Sequence, residues 1–461
     1  MSAMSPSLAR PSDRETADPI RGLLDGLDEG RLGSEMHDAV RALFPIPRSI
    51  TGDGLRQSLR LLQRLAPLVL REVPTGTRVL DWVVPKEWNV RGARLIGPDG
   101  EVIADVERHS LHLMGYSVPF RGRVPLDALQ PHLHSLPDQP SLIPYRTSYY
   151  KEDWGFCLPH EQRARLRPGL YEVAIDTSLT DGALTYGELV LPGRSSDEVL
   201  VSSHCCHPSL ANDNLSGMVL AATLARLLHG VPLRYTYRFL FAPGTIGAIA
   251  WLASNEDRVR RIAHGLVLAC LGDAGRLTYK RSRRGDAEID GAVAHVLARS
   301  GDAHEIRDFT PYGYDERQFG SPGFDLPVGS LSRTPYGEYP EYHTSADDPG
   351  LVKPDRLADS LRRILEVVEV LEGNRTYRNL CPKGEPQLGR RGLYGAIGGQ
   401  SHAAEAQMAM LWVLNQSDGT HSLLDIAERS KLPFVRVRQA ARTLEEAGLL
   451  ALGDDAPARR A

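Results

Sequence analysis

Cysteine is scarce in this chain of 461 residues, and the excess of one charge sign is small. The five cysteines are an odd number and two of them, Cys205 and Cys206, are adjacent, so the sequence does not indicate a disulfide framework. The formal net charge of −4 gives no strong attraction to nucleic acid or to an anionic membrane. The scarcity of cysteine fits a reducing compartment, and we expect a cytoplasmic protein.

Long apolar runs are also missing. The longest uncharged stretch, residues 239–255, contains Pro243 and Gly244 and falls short of the roughly 20 apolar residues that a membrane-spanning helix needs. The N-terminus has no apolar region of a secretory signal. We therefore expect no membrane association. With 42% hydrophobic and 24% charged residues, the composition is that of a globular protein with several domains.

Short apolar runs alternate with helical patterns through the second half of the chain. This alternation predicts an α/β fold, a mostly parallel sheet with helices on both faces. The spacing of three helices and a final short strand near the C-terminus predicts a winged helix. The expected segments are a disordered tail at residues 1–18, a helical part of the main domain at 19–74, a β-rich subdomain at 75–184, the main α/β domain at 185–373, a linker at 374–402 and a winged-helix domain at 403–461.

Polar residues cluster where the predicted strands end. One strand runs into His204 and, three residues later, His207, and Asp213 follows in a turn before a helix. Asp273 comes directly after another strand, and His343 follows a loop rich in proline and glycine. The carboxyl ends of parallel strands meet at one edge of a sheet, and imidazole with carboxylate suits a zinc-type ion. Each residue alone is explained as a helix cap or a core histidine, but together they predict a metal site.

The order of these residues resembles the co-catalytic zinc aminopeptidases and glutamate carboxypeptidases over about residues 185–372. The matching residues are His204, Asp213 in NDNLSG, Asp273 and His343 in YHTSADD, and YDERQF and GFDLPVGSL are similar to two further family segments. Four segments, LFPIPRSITG, DWVVPKEWNV, TSYYKEDWGF and SHCCHPSLANDNLSG, resemble more closely a bacterial group with an inserted β subdomain, similar to the protease-associated domain, and a winged-helix tail. The resemblance implies a zinc-exopeptidase-like fold and a zinc-dependent hydrolase.

The chain departs from this family at two places. Where the peptidases have a Glu-Glu pair, whose members are the general base and a metal ligand, this chain has Gly244 and Thr245. Cys206 stands where the family has the Asp that orients the first histidine. We therefore expect one zinc per chain, held by a histidine of HCCH, by Asp213 and by His343 or Asp273, with an open position for water. The choice between His204 and His207 stays open.

The missing general base must come from another residue. The candidates are loop glutamates near the motif positions, each of which is also explained as a solvated residue: Glu316, Glu338 and Glu341. Glu338 or Glu341 would alternatively hold a substrate ammonium group. The candidates for substrate contact are Asp315, Tyr342, Tyr150 and Trp154. The aromatic residues of the TSYYKEDWGF segment are equally explained by packing inside the β subdomain.

The sequence supports three functions. The first is a zinc-dependent, aminopeptidase-like hydrolase of an amide bond in a small peptide. The second, motivated by the missing Glu pair, is an amidase or deacylase of an aminoacylated or acylated biosynthetic intermediate. The third is a degenerate peptidase fold that binds a partner or DNA. Residues 421–461 contain seven Lys or Arg and six Asp or Glu, which is weak footing for DNA, so we favour docking or homo-oligomerisation for the winged helix.

Overall fold

The structure is a computed structural model that describes residues 18–393 and 401–453, without the side chains of residues 401–403. Residues 1–17 of the predicted tail and residues 394–400 of the predicted linker lie outside the described residues. Within the described part of the chain, no helix is both long and apolar enough to cross a membrane.

A mixed eight-stranded sheet forms the centre of the molecule, which confirms the predicted α/β class. Its four central strands are parallel, and antiparallel strands extend the sheet on both sides. In spatial order the strands are Val69–Pro74, Ala183–Leu191, Thr236–Ala242, Glu198–His204, Ile262–Leu268, Val328–Ser332, Leu277–Lys280 and His304–Arg307. Ala183–Leu191 therefore belongs to this sheet, although its sequence lies at the end of the predicted β subdomain.

Helices cover both faces of the sheet because the side chains of its buried strands alternate between two cores. Val199 and Val201 enter one core and Leu200 enters the other. The helices of the first core are Pro19–Asp25, Glu29–Leu43, Asp53–Leu62, Gly217–Leu228, Glu288–Arg299 and Pro354–Gly373. The helices of the second core are Ile246–Ser254, Glu256–Val259 and Glu316–Phe319. The segment predicted as the helical start of the chain, residues 19–74, contains the first three of these helices and ends in the edge strand Val69–Pro74 of the central sheet.

The β-rich subdomain is built on a four-stranded antiparallel sheet. In spatial order its strands are Val102–Asp105, Glu87–Ile96, Leu170–Thr180 and Phe120–Pro125. The smaller elements are the strand pairs Arg78–Val79 with Trp82–Val83 and Leu133–His134 with Phe156–Cys157, the helices Leu126–Leu129 and His160–Ala164, and the 3-10 turns Ser110–His112 and Gln130–His132. The subdomain shares the second core with the central sheet, so the two parts pack as one body.

The C-terminal module has the three helices and the short final strand that the sequence predicts for a winged helix. The helices are Ser401–Gln416, Leu423–Ser430 and Phe434–Glu446, and the strands are Thr376–Asn379, Asp418–Ser422 and Leu450–Leu452. The first strand falls within the predicted linker, residues 374–402, yet it pairs with both other strands. A 3-10 turn, Gly389–Arg391, follows it. The predicted linker therefore contributes to the module.

The module packs directly against the main domain and shares its hydrophobic core. Its buried residues Phe434 and Val437 belong to the same core as Ile20 and Val367 of the main domain. The N–H of Phe434 donates to His295 Nε2 at 3.2 Å. The third helix thus uses one face for contact within the chain.

Candidate metal centre

The end of the strand Glu198–His204 and the turn before the helix Gly217–Leu228 bring a histidine and an aspartate together. His204 Nε2 lies 2.9 Å from Asp213 Oδ1, and both residues are buried. His343 reaches the same carboxylate from the YHTSADD segment, with Nε2 3.0 Å from Asp213 Oδ2. Each carboxylate oxygen of Asp213 therefore faces an imidazole nitrogen from a different part of the chain.

His207 adds a third imidazole. Its ring centre lies 5.0 Å from that of His204 and 5.2 Å from that of His343. The ligand-type atoms of His204, His207 and Asp213 all lie within 4.8 Å of one another. We call His204, His207, Asp213 and His343 the Asp213 cluster. Ligand atoms of a tetrahedral zinc site lie about 3.3 Å apart, given bonds near 2 Å. The donor types of the cluster fit zinc, and the distances of 2.9 and 3.0 Å from Asp213 to His204 and His343 are close to that spacing.

The electrostatics of the cluster favour the forms that bind a metal. Burial would raise the pKa of Asp213, but attraction to His207 and the contacts with His204 and His343 hold that pKa well below its usual 3.8. Burial lowers the pKa of His207 to about 3, so its imidazole is neutral at pH 7. A carboxylate and neutral imidazoles are the protonation states that coordinate zinc.

Backbone and side-chain contacts hold Asp213 in place. The N–H groups of Asn212 and Asp213 donate to Asp347 Oδ1 and Oδ2 at 2.6 and 3.0 Å. Tyr314 donates its hydroxyl to Asp213 Oδ1 at 3.3 Å. Asp347 follows His343 by four residues, so one segment supplies both an imidazole of the cluster and the support of its carboxylate. Sequence reasoning missed Asp347, for which the only signal was the acidic end of YHTSADD.

The contacts of His204 explain how the chain manages without the family's orienting Asp. Asn214 Nδ2 lies 3.2 Å from His204 Nδ1 and donates to Ser203 Oγ at 2.9 Å. Cys206, which stands at the position of that Asp, lies with its sulfur 3.8 Å from His207 Nδ1. Asn214 therefore contacts the second ring nitrogen of His204, and Cys206 contacts its own neighbour.

Asp273 lies outside the Asp213 cluster. Its Oδ1 accepts from the hydroxyl of Thr334 at 2.6 Å, and its Oδ2 accepts from the side-chain amide of Asn212 at 2.9 Å. The N–H of Gly275 also donates to Oδ1, at 2.7 Å. These donors hold the carboxylate toward the neighbouring strand end. Asp273 therefore connects the turns around the site by hydrogen bonds and does not face the imidazoles of the cluster.

The three glutamates predicted as general bases occupy different surroundings. Glu316 is fully buried and forms an ion pair with Lys280 at 2.5 Å. Glu338 forms an ion pair with Arg307, and its side chain is 45% exposed. Glu341 is half-buried, and its carbonyl accepts from Thr344 at 2.8 Å. None of the three lines the cavity beside the Asp213 cluster.

That cavity has a volume of about 160 Å³ and contains two of the predicted substrate contacts, Asp315 and Tyr342. Tyr342 stacks on His343 with ring centres 3.9 Å apart. Asp315 is 1% exposed, and neither of its carboxylate oxygens has a hydrogen-bond partner among the described residues. The other lining residues are His204, His207, Gly244, Thr245, Tyr312, Gly313, Tyr314, Arg317 and Tyr336.

The two predicted contacts from the β subdomain do not line the cavity. Tyr150 is 53% exposed and lies 5.4 Å from Trp82, ring centre to ring centre. Trp154 stacks against His132 at 3.8 Å, within its own subdomain. Tyr145, which sequence reasoning missed, is an aromatic residue of the subdomain at the site, with its ring 5.1 Å from that of His207 and 5.0 Å from that of His343.

Comparisons with known proteins agree with this architecture. The family model "Domain of unknown function (DUF4910)" matches residues 37–374, and a winged helix-turn-helix model matches residues 375–452. A protein of Clostridium acetobutylicum is 50% identical over 420 residues, which are 91% of this chain and 96% of the relative. The name of that relative refers to polysaccharide biosynthesis and to an aminopeptidase-like domain.

Solved structures show the same fold. A Clostridium acetobutylicum protein named as a peptidase superposes with a TM-score of 0.89 and 47% identity, covering 94% of this chain and 99% of the other. A zinc aminopeptidase of Bacillus subtilis gives a TM-score of 0.53 at 15% identity, covering 73% of this chain and 94% of the other. A Shewanella amazonensis M28 peptidase precursor gives 0.53 at 12% identity, covering 77% and 96%. The predicted zinc-exopeptidase-like fold is confirmed.

Proposed function

We propose that this chain, which belongs to the DUF4910 family, is a zinc-dependent hydrolase that cleaves an amide bond in the manner of an aminopeptidase. The observation that carries the proposal is the Asp213 cluster, in which imidazoles of His204 and His343 face the two oxygens of one buried carboxylate at 2.9 and 3.0 Å. Its position at the carboxyl end of a central parallel strand is where α/β folds build their sites. The aminopeptidase-like fold of the relatives supports a hydrolase.

In this proposal, the residues in and around the cluster have different roles. A bound zinc ion would supply a Lewis acid for the amide carbonyl and would lower the pKa of a water toward about 7. Asp213, His343 and one or both histidines of HCCH would hold it. Asp347 keeps the turn of Asp213 fixed through two backbone N–H groups. Tyr342, stacked on His343, forms a wall against which a substrate group packs.

One zinc per chain is part of the proposal. In the resembling peptidases, the exit of the strand that corresponds to Thr236–Ala242 carries two carboxylates, one of them a metal ligand. Here Gly244 has no side chain and Thr245 has a neutral hydroxyl, and both line the cavity. Less negative charge at this exit weakens the binding of a second divalent ion.

A second candidate is an amidase or deacylase that acts on an acylated or aminoacylated intermediate of polysaccharide biosynthesis. The name of the 50% identical relative favours it.

DNA is not a partner in this proposal. The third helix of the winged helix, Phe434–Glu446, would be the helix that enters the major groove. Arg438 of that helix is buried and forms ion pairs with Asp18 and Glu369 of the main domain, so it is not available to phosphates. Docking within the chain is the role that these contacts support.

Metal content and a substrate panel test the proposal together. Protein purified without chelator should contain close to one zinc per chain by elemental analysis, and removal of that zinc should abolish hydrolysis. Aminoacyl anilides and dipeptides form one arm of the panel, and N-acylated amino sugars form the other. Preference for the first arm supports an aminopeptidase, and preference for the second supports the biosynthetic amidase. Hydrolysis that survives complete zinc removal would refute the zinc-dependent function.

A further inference from the structure

The cavity beside the Asp213 cluster contains a buried acid that the fold does not explain. Asp315 is 1% exposed, and both oxygens of its carboxylate lack a hydrogen-bond partner among the described residues. Burying an unpaired carboxylate costs folding free energy, because the group loses water and gains nothing in return. An acid in such a position is therefore expected to meet a ligand or a reacting group.

Helix capping does not account for Asp315. The residue precedes the short helix Glu316–Phe319, but its side chain makes no capping hydrogen bond there. Its backbone carbonyl accepts from the N–H of Gln318 at 2.9 Å and of Phe319 at 3.1 Å. Phe319 is fully buried and its ring lies 6.2 Å from that of Trp251, on the helix that follows Gly244 and Thr245. The backbone is therefore anchored while the carboxylate stays uncommitted.

The carboxylate of Asp315 lies close to the backbone position from which the side chains of the missing Glu-Glu pair would extend. A Cβ atom placed on Gly244 would be 3.6 Å from Asp315 Oδ1 and 3.1 Å from His204 Cβ. The resembling peptidases carry their Glu-Glu pair at this strand exit. Asp315 thus reaches the same space from the YDERQF segment, and the absence of a side chain at Gly244 leaves room for it.

We propose that Asp315 is the proton acceptor of the hydrolysis, replacing the carboxylate that the strand exit at Gly244 and Thr245 lacks; this inference rests on the proposed hydrolase function. Asp315 takes a proton from water as the water oxygen bonds to the amide carbon. The proton then passes to the amide nitrogen as the carbon–nitrogen bond breaks. The products are a carboxylic acid and an amine, and Asp315 returns to its ionised form.

The electrostatic surroundings of Asp315 agree with this role. Burial raises its pKa from 3.8 to about 7, while the nearby His204 lowers it and Glu316 raises it. A base whose pKa is near the working pH transfers protons most effectively. Glu316 is ion-paired with Lys280, so it is committed to a different contact. The titratable and charged groups around Asp315 are His204, Cys205, Cys206, Glu316 and Arg317.

Asp315→Asn in the zinc-loaded full chain tests the inference. We expect kcat to fall by roughly 100- to 10,000-fold, the range for a general base, with zinc content unchanged. The melting temperature at pH 8 should rise, because the variant no longer buries an unpaired charge; a merely structural carboxylate would make it fall. Asp315→Glu should recover part of the activity. Asp308→Asn, whose side chain is fully exposed, is the matched control and should behave as wild type.

Two substrates separate this inference from the proposed function. Hydrolysis of 4-nitrophenyl acetate requires no amide specificity, so it is measured beside the best amide of the panel. Zinc-dependent ester hydrolysis that needs Asp315, without amide hydrolysis, would refute the amide function and support the inference. Unchanged turnover in Asp315→Asn, or a parallel loss of zinc, would overturn the inference alone. No zinc-dependent hydrolysis of either substrate would overturn both.

Discussion

Two charge clusters in this molecule, each with buried carboxylates, differ in how their charges are balanced. The first, which we call the Arg438 cluster, consists of Asp18, Arg21, Glu369 and Arg438. Arg21 binds Glu369 through two hydrogen bonds of 2.9 and 2.6 Å, and Arg438 binds Glu369 at 2.8 Å and pairs with Asp18. Two carboxylates thus meet two guanidinium groups, and the chain supplies every charge that the cluster needs.

The buried carboxylates in and beside the Asp213 cluster are not balanced in this way. Asp213, Asp315 and Asp347 are all almost completely buried, and within residues 18–393 and 401–453 no ion pair joins any of them to a lysine or an arginine. The partners of Asp213 and Asp347 are imidazoles, hydroxyls and backbone N–H groups, and the carboxylate of Asp315 has no hydrogen-bond partner among the described residues. The comparison teaches that buried carboxylates paired by arginine hold the chain together, whereas buried carboxylates without an arginine or lysine partner have capacity for a cation from outside.

The largest expected effect comes from breaking the balanced cluster. Arg438→Ala should lower the free energy of unfolding by about 3 to 5 kcal/mol, because it leaves Asp18 and Glu369 buried without this guanidinium. Chemical denaturation measures the loss, and elemental analysis should show unchanged zinc. Arg436→Ala, two residues earlier on the same helix and exposed, is the matched control. Equal losses in the two variants would show that burial of the pair is not the cause.

The second expected effect comes from breaking the unbalanced cluster. Asp213→Asn should reduce zinc affinity by more than the roughly 10- to 100-fold that loss of an outer partner costs, because it removes a direct ligand. The metal-free variant should melt somewhat lower than wild type, because the contacts that hold the pKa of Asp213 below its usual value show that the fold stabilises the ionised carboxylate. Competition with a chelator of known affinity measures the first quantity, and thermal unfolding the second.

Asp273→Asn is the matched control for that experiment. It changes a buried Asp at the neighbouring strand end that is hydrogen-bonded by Asn212 and Thr334 and does not face the imidazoles. Zinc affinity should stay within the error of wild type, while stability should fall by about 1 to 3 kcal/mol through weakened hydrogen bonds. Full zinc occupancy in Asp213→Asn would instead show that Asp213 serves the turn alone.

The smallest expected effect concerns a glutamate that the sequence offered as a base. Glu338→Gln should change the free energy of unfolding by no more than about 1 kcal/mol, because its pair with Arg307 is at the surface. Turnover should stay within about threefold of wild type, since Glu338 does not line the cavity. A steady-state assay measures kcat of the variant. A 100-fold loss of kcat would assign Glu338 to the reaction and contradict the role of Asp315 as proton acceptor.

The strand-exit rule explains why much of the site could be predicted from sequence. His204 follows directly from the end of a buried apolar strand, and Asp213 from a turn before a helix. Their proximity to His343 could be predicted because the polar ends of parallel strands lie at one edge of the sheet. The winged helix was predictable for a similar reason, because its helices have regular apolar spacing and are bounded by turns.

The remaining features depend on side-chain direction, which the sequence pattern does not carry. Asp315 and Glu316 are adjacent at the start of one short helix, yet Asp315 lines the cavity and Glu316 pairs with Lys280. Asp273 turns away because Thr334, distant in sequence, supplies its donor. The strand Thr376–Asn379 is short and polar, so only its pairing with two partner strands reveals it.

The Arg438 cluster has an evolutionary consequence. Its members come from residues 18–21, from the long helix Pro354–Gly373 and from the third helix of the winged helix, so both ends of the described chain and one of its central helices share a single electrostatic contact. A charge change at one of these positions needs a compensating change at another. The winged helix of this lineage should therefore be inherited together with its peptidase-like partner, and exchange of the module between unrelated genes should be selected against.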